Sequence, residues 1–328
     1  MKPAVAFGLC GAVVALFLLE LASGPSGISP FTALGELWRG EDGVAAVVLW
    51  ELRLPRALLA MVCGASLGMS GAALQGLLRN PLASPDILGV SQLAALAAVL
   101  ALYYGLSARG WFVLPLCAVV GAAAAVALMF GLNRRHGDGA TIILSGIAIS
   151  ALAGSLISLA LNFAPNPFAL QEIYYWLLGS VANRSWNELL FALPFMALGA
   201  ALLWHCRRFL DALTLGEETA RTLGFDARRC SRQIILGTAC CVGAVVAVSG
   251  NIGFVGLVVP HLLRPLVQAR PAQVLLWSGV GGAVLVLLAD VIVQSLPGAQ
   301  ELQLGVLTSA LGGPFFLYLL FTKREWFR

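Results

Sequence analysis

Apolar runs recur from one end of this chain to the other, and few of them are broken by a charge. A helix needs about 20 mostly apolar residues to cross a hydrocarbon core of about 30 Å, and several runs reach that length. Ten spans can be drawn: 4–23, 54–78, 87–104, 111–132, 140–162, 188–205, 233–250, 254–268, 272–294 and 304–321, the eighth short and interrupted. The expected fold is therefore all-α, a polytopic membrane protein with about ten transmembrane helices forming one domain over residues 1–328. Only 11% of residues are charged and 59% are hydrophobic, against about 25% charged in soluble domains.

The basic residues orient the spans. With the N-terminus inside, the inward loops hold fifteen Lys and Arg and the outward loops five, Arg39, Arg53, Arg56, Arg109 and Arg184. That bias predicts both termini in the cytoplasm and explains the net charge of +4 without any affinity for nucleic acid. The first run ends near Ala22-Ser23-Gly24, small residues that also suit a cleaved leader, but Glu20 and the charge count fit a retained span. The seven cysteines show no framework spacing and read as packing residues.

One loop is unlike the rest. His205 to Arg232 carries Arg207, Arg208, Asp211, Glu217, Glu218, Arg221, Asp226, Arg228, Arg229 and Arg232, ten charges between two apolar stretches. Within this loop, 206–232, Thr214 and Glu217 have capping-box spacing, which predicts a helix starting at Thr214. Glu217 and Glu218 would complement its dipole, Glu217 would pair with Arg221, and Gly224 would supply a left-handed residue after its end. Two turns are marginal alone. The helix should lean on the bundle through Gly216, Ala220 and Leu223, leaving the charges to solvent or to a soluble partner.

The spans carry no ionisable group at mid-depth; Glu20, Asp86, Glu188 and Asp290 lie near ends. Ion-coupled carriers commonly keep such groups as relays, so coupling energy should enter elsewhere. Small residues recur at helical spacing as Gly64, Gly68, Gly71 and Gln75 on the second span and as Gly146, Ser150, Gly154 and Ser158 on the fifth. Such faces serve close helix packing; the hydroxyl-bearing stripe of the fifth span could instead line a wet passage. The segment 165–188 reads as a re-entrant or surface helix whose Tyr174, Tyr175, Trp176 and Trp186 sit at headgroup depth. His261 reads as a packed side chain. Lysine occurs only at Lys2 and Lys323, which excludes a phosphate-binding P-loop, and His136, His205 and His261 are too scattered for a metal site. The chain is expected not to be an enzyme and to bind no metal or cofactor.

Thr214-Leu-Gly-Glu-Glu-Thr-Ala-Arg-Thr-Leu-Gly224 resembles the L-x-L-G-x-x-x-A-x-x-L-G signature of FecCD-family permeases, subunits of ATP-binding-cassette importers for iron-siderophores, haem and vitamin B12. The resemblance extends over nearly the whole chain through Arg53-Leu-Pro-Arg56, Gly71-Ala-Ala-Leu-Gln75, Arg79-Asn-Pro-Leu-Ala83, Pro85-Asp-Ile-Leu-Gly89, Trp176-Leu-Leu-Gly-Ser180, Gly253-Phe-Val-Gly-Leu-Val-Val-Pro-His261 and Gly313-Pro-Phe-Phe-Leu-Tyr318.

That resemblance implies a type II importer permease in a bacterial inner membrane, paired with a second copy or a paralogue and with two cytoplasmic ATPases that use ATP and Mg. A periplasmic or lipoprotein binding protein would deliver a metal chelate, with an iron-siderophore favoured and haem or cobalamin as alternatives; an ion-coupled secondary transporter is the reading from another class. By position, Thr214 to Gly224 would be the ATPase-coupling helix. Arg53 and Arg56 would dock the binding protein, or act as interfacial anchors. Asn80 and Leu82 would form a cytoplasmic gate with the Gly139 to Thr141 turn, although Asn-Pro is also a turn former. Three departures stand out: Gln294 where many relatives have arginine, Gln303 in place of a loop proline, and Gly312-Gly313-Pro314 in place of G-A-P.

Overall fold

The computed structural model describes residues 3–24, 29–39, 43–133, 139–296 and 302–322. Lys2, Arg134, Arg135, Lys323, Arg324 and Arg328, counted above toward the inner side, and Glu301 lie outside them. Among the described residues the regular structure is helical throughout.

The chain begins with α1 (Pro3–Ala22) and a short amphipathic α2 (Pro30–Arg39). Then α3 (Val44–Val47) runs through a π-helical stretch, Val48–Arg53, into α4 (Leu54–Leu77). There follow α5 (Val90–Tyr103), α6 (Val113–Leu132), α7 (Gly139–Asn162), α8 (Pro167–Leu177) and α9 (Trp186–His205). Two short helices, α10 (Arg207–Leu213) and α11 (Glu217–Thr222), precede α12 (Ala227–Ser249), α13 (Val255–Leu263), α14 (Pro271–Ser295) and α15 (Leu304–Thr322).

Seven of these helices are long and apolar enough to cross a membrane, and the shorter apolar segments Val90–Tyr103, Val255–Val267 and Leu304–Phe315 supply the remaining three expected spans. Each of the ten runs has its helix. The second begins at Val44, not at 54. Charges at Glu51, Arg53 and Arg56 look like a boundary in sequence, yet the helix continues because both guanidinium groups find partners inside the protein.

Glycine sets how the helices meet. A Cβ at Gly64 or Gly68 would overlap the carbonyl oxygens of Gly282 and Ser278 on α14, and one at Gly71 would overlap the Gly256 carbonyl on α13. Gln75, next on the same face, donates to the Leu257 carbonyl at 3.2 Å and accepts from Arg264 Nη2 at 2.9 Å. The small face of the second span is thus a close-packing face along its whole length. Where lipid removes the hydrophobic drive between helices, such backbone approach is the main source of association.

The eighth span is short and interrupted as expected: α13 ends at Leu263 and passes into a 3₁₀ turn, Arg264–Val267. Before it, residues 250–254 are non-helical, and Phe254 takes a left-handed φ of 66° to start α13. Backbone groups freed near such a break must bond within the protein. Ser180 N–H donates to the Ser249 carbonyl at 2.7 Å and Gly305 N–H to the Gly179 carbonyl at 3.0 Å, joining the turn after α8, the end of α12 and the start of α15. The expected helix in 165–188 is α8, capped by Asn166, whose Oδ1 accepts from Ala169 N–H at 2.8 Å. Trp186 packs against Trp50 with the rings tilted and their centroids 5.5 Å apart, and donates to its carbonyl at 2.9 Å.

Gly68→Val forces α4 from α14 and should destabilise the protein by about 1–3 kcal/mol, as overpacked cores do. Gly11→Val on α1, where a Cβ meets nothing within 4 Å, should be neutral. Thermal melting of both variants in detergent, followed by size-exclusion chromatography, checks the contrast.

Candidate functional site

At one end of the bundle the charged loop folds into α10 and α11. Phe209, Leu210, Ala212 and Leu213 of α10 are buried, so this helix is rooted in the bundle. Thr214 does not start a capping box. Its Oγ1 donates to the Asp211 carbonyl at 2.7 Å, completing the end of α10, because a threonine hydroxyl bonds a carbonyl three residues back as readily as an amide three residues ahead. The cap of α11 is instead Gly216, with φ 104° and no side-chain bond, and α11 starts at Glu217, not at Thr214.

The other end of α11 is as expected. Gly224 has φ 90°, its N–H donates to the Arg221 carbonyl at 2.9 Å, and Phe225 N–H reaches the Ala220 carbonyl at 3.1 Å. These two bonds form a Schellman motif. Arg221 pairs with Glu217 at 2.7 Å, both well exposed, so the pair contributes little stability. Ala220 is buried, while Phe225 packs against Phe209 with centroids 5.9 Å apart. Leu223, expected on the buried face, is 59% exposed, and Leu215 is 67% exposed. A helix this short turns only one residue squarely inward. The outer rim therefore presents Leu215, Glu217, Glu218, Arg221 and Leu223 together, apolar side chains among charges.

Below this loop, α4 ends in a tight reversal. Arg79 has φ 47°, Asn80 N–H donates to the Gln75 carbonyl at 3.2 Å, and Asn80 Oδ1 accepts from Leu82 N–H at 2.9 Å. Asn80 thus forms a side-chain-closed turn. The following 3₁₀ turn, Pro85–Leu88, packs on α7: a Cβ at Gly146 would overlap the Ile87 carbonyl, and Ser150 Oγ donates to the Asp86 carbonyl at 3.1 Å. Burial pushes the Asp86 carboxyl above its ordinary range, while the Ser91 hydroxyl acts the other way through a 3.0 Å bond. Gly139 and Thr141 lie in the first turn of α7, not in a turn before it, because the apolar helical run includes them.

The expected passage stripe on α7 divides. Gly146 and Ser150 are held by the 85–89 turn, whereas a Cβ at Gly154 would meet open space and exposed Ser158 bonds back to the Gly154 carbonyl at 3.0 Å.

At the opposite end, Arg53 and Arg56 point inward. Arg53 is 8% exposed and its Nη1 donates to the Leu21 carbonyl at 2.9 Å. Arg56 makes a two-pronged pair with Asp290, Nε to Oδ2 at 2.8 Å and Nη2 to Oδ1 at 3.0 Å. Glu20, the buried residue of α1, lies 3.8 Å from Arg56 Nε and accepts from Gln294 Nε2, which also donates to Asp290 at 3.1 Å. Both arginines are thus bonded within the chain, Arg56 to the desolvated carboxylates of Asp290 on α14 and Glu20 on α1, and Arg53 to the backbone carbonyl of Leu21. Sequence reasoning saw Glu20, Asp290 and Gln294 singly, because no short-range spacing links residues 234 and 274 positions apart.

Comparisons with known proteins are consistent along the whole chain. Residues 12–322 match the FecCD transport family. The chain is 38% identical over 322 residues to the hemin transport system permease protein HmuU of Yersinia pestis, covering 95% of each. It is 39% identical over 320 residues to the vitamin B12 import system permease protein BtuC of Vibrio cholerae, covering 97% of this chain and 93% of that one. Among solved structures, an inward-facing metal-chelate type ABC transporter superposes with a TM-score of 0.86 at 31% identity, covering 98% of this chain and 99% of the other.

Removing one partner of a buried charge pair costs about 3–5 kcal/mol, so Arg56→Ala should sharply reduce folded yield. Arg56→Lys, unable to make the two-pronged bond, should recover only part of it. Gly224→Val should speed amide exchange over Glu217 to Phe225 by about fivefold, the cost of a β-branched residue at positive φ, and leave the spans protected. Exchange mass spectrometry reads both regions at once.

Proposed function

The chain belongs to the FecCD transport family, a multi-pass membrane permease of ABC importers, and on that premise we propose that it carries a metal chelate inward, powered through α11. Two ATPase subunits would grip the rim of Leu215, Glu217, Glu218, Arg221 and Leu223, using ATP and Mg that this chain does not itself hold. Both termini and the loop 206–232 would then face the cytoplasm of a bacterial cell, in keeping with the excess of Lys and Arg on that side. A periplasmic or lipoprotein binding protein would deliver cargo to the other end.

A second permease copy or paralogue would complete the pathway. The open face of α7, with Gly154 and Ser158 and exposed Leu144, Ile147 and Leu152, supports that pairing. Asn80 and Leu82, with Gly139 and Thr141, would gate the inner end. The observation that carries the reading is the exposed, bundle-rooted α11 in a chain whose family match spans residues 12–322.

The cargo class expected from resemblance was an iron-siderophore. The relatives above are named for hemin and vitamin B12, both metal tetrapyrroles, and this favours haem or a corrinoid. Reconstituted with its ATPases and binding protein, the chain should accumulate labelled haem or cobalamin only with ATP. The variant Glu217→Lys, Glu218→Lys, Arg221→Glu should lose at least about tenfold of that uptake, the scale of a few charge-assisted contacts, while still folding. Uptake without ATP, or undiminished in the triple variant, would contradict the proposal.

A further inference from the structure

We propose that Asp211 is the joint that ties the loop helices to the membrane bundle, by capping α14 from α10. The inference rests on α11 being the grip of the partner ATPases, and it names where that motion enters the spans. The N-terminus of α14 lacks a cap of its own: Arg270 has extended backbone there with no side-chain bond to the helix, and Pro271 follows. The free amide of Ala272 is taken by Asp211 Oδ1 at 2.8 Å, and Oδ2 lies 3.5 Å from Arg270 Nε. A carboxylate at this position completes an orphan donor and complements the positive end of the helix dipole. Such caps ordinarily come from the residue preceding the helix. Here it comes from 61 positions away.

Asp211 is bonded on both sides. Its carbonyl holds Thr214 through the hydroxyl at 2.7 Å and the amide at 3.3 Å, so the turn into α11 is fixed to the same residue. Beside it, Leu210 packs on the end of α4, where a Cβ at Gly76 would lie 3.2 Å from Leu210 Cδ2. A push on α11 therefore reaches α14 through the Asp211 carboxylate and α4 through Leu210, beside the other buried residues of α10, the two helices already locked by Gly64, Gly68 and Gly282.

The test uses the full complex in proteoliposomes, with uptake of labelled haem or cobalamin and ATP hydrolysis measured together. Losing a cap acceptor shifts a local equilibrium by about tenfold. Asp211→Ala should lower uptake by that factor while hydrolysis continues, raising the ATP consumed per cargo. Asp211→Asn, which keeps the acceptor oxygen, should recover most of the uptake.

A purely structural cap makes a different forecast. Asp211→Ala with Arg270→Ser gives α14 a cap from its own chain but leaves the link to α10 broken. If the joint is real, this double variant regains the wild-type melting temperature and remains uncoupled. If it transports normally, the joint is wrong, and the grip on α11 still stands provided the charge-reversal variant is uncoupled. If charge reversal on α11 has no effect either, both readings fall.

Discussion

Helices in lipid gain nothing by hiding apolar side chains from one another, so the bare backbone contact between α4 and α14 is what the rest of this bundle depends on. Gly64 and Gly68 on one helix meet Gly282 and Ser278 on the other with no room for a methyl group. That approach brings Arg56 within two-pronged reach of Asp290 at one end. At the other it leaves the start of α14 beside α10, where Asp211 caps it. Spacing, ion pair and cap follow from one glycine face, and α13 is drawn in by its continuation through Gly71 and Gln75.

This pair of helices links the two ends of the molecule. Near the loop, α11 is too short to stand alone and is held by Ala220, the Schellman bonds at Gly224 and the aromatic contact of Phe225 with Phe209. It is thus an exposed surface fixed to a rigid base. At the far end α1, whose Leu9, Val13, Leu16 and Phe17 rest half-buried on the core, is fastened through Glu20 to Gln294 and Arg56. The 85–89 turn lies between the two sides of the bundle, clasped by Gly146 and Ser150 of α7 and packed through Pro85 on Gly256 of α13.

Much of this was legible in the sequence. Ten apolar runs gave ten helices, because length and hydropathy are local properties and a bilayer demands both. The glycine face of α4 was readable from its spacing, and the end of α11 from Gly224, since both rest on backbone geometry that glycine alone satisfies. What failed were side chains with two possible partners. Thr214 could bond forward or back, and it bonds back. The partners of Arg53 and Arg56 within the chain were not legible because the Leu21 carbonyl, Asp290 and Glu20 lie on other helices, and a single sequence holds no sign of such long-range pairing. Asp211 was counted merely as one loop charge among ten for the same reason. The α7 stripe was correctly drawn as one face, but whether a small face meets a neighbour or open space depends on what packs there, and here the answer changes halfway along it.

The central claim is that α11 and α14 move as one body when the partner ATPases close. Spin labels at Thr219 and Leu276, in a background without native cysteines, measure the distance between those two helices by pulsed resonance in the assembled complex. The account predicts that this distance shifts by less than about 2 Å on trapping with ATP, while the Thr219 label and one at the matching position of the proposed second permease subunit change separation by about 5 Å or more, the scale of known switching motions. An internal shift as large as the one between copies would show that the loop slides over the spans without driving them.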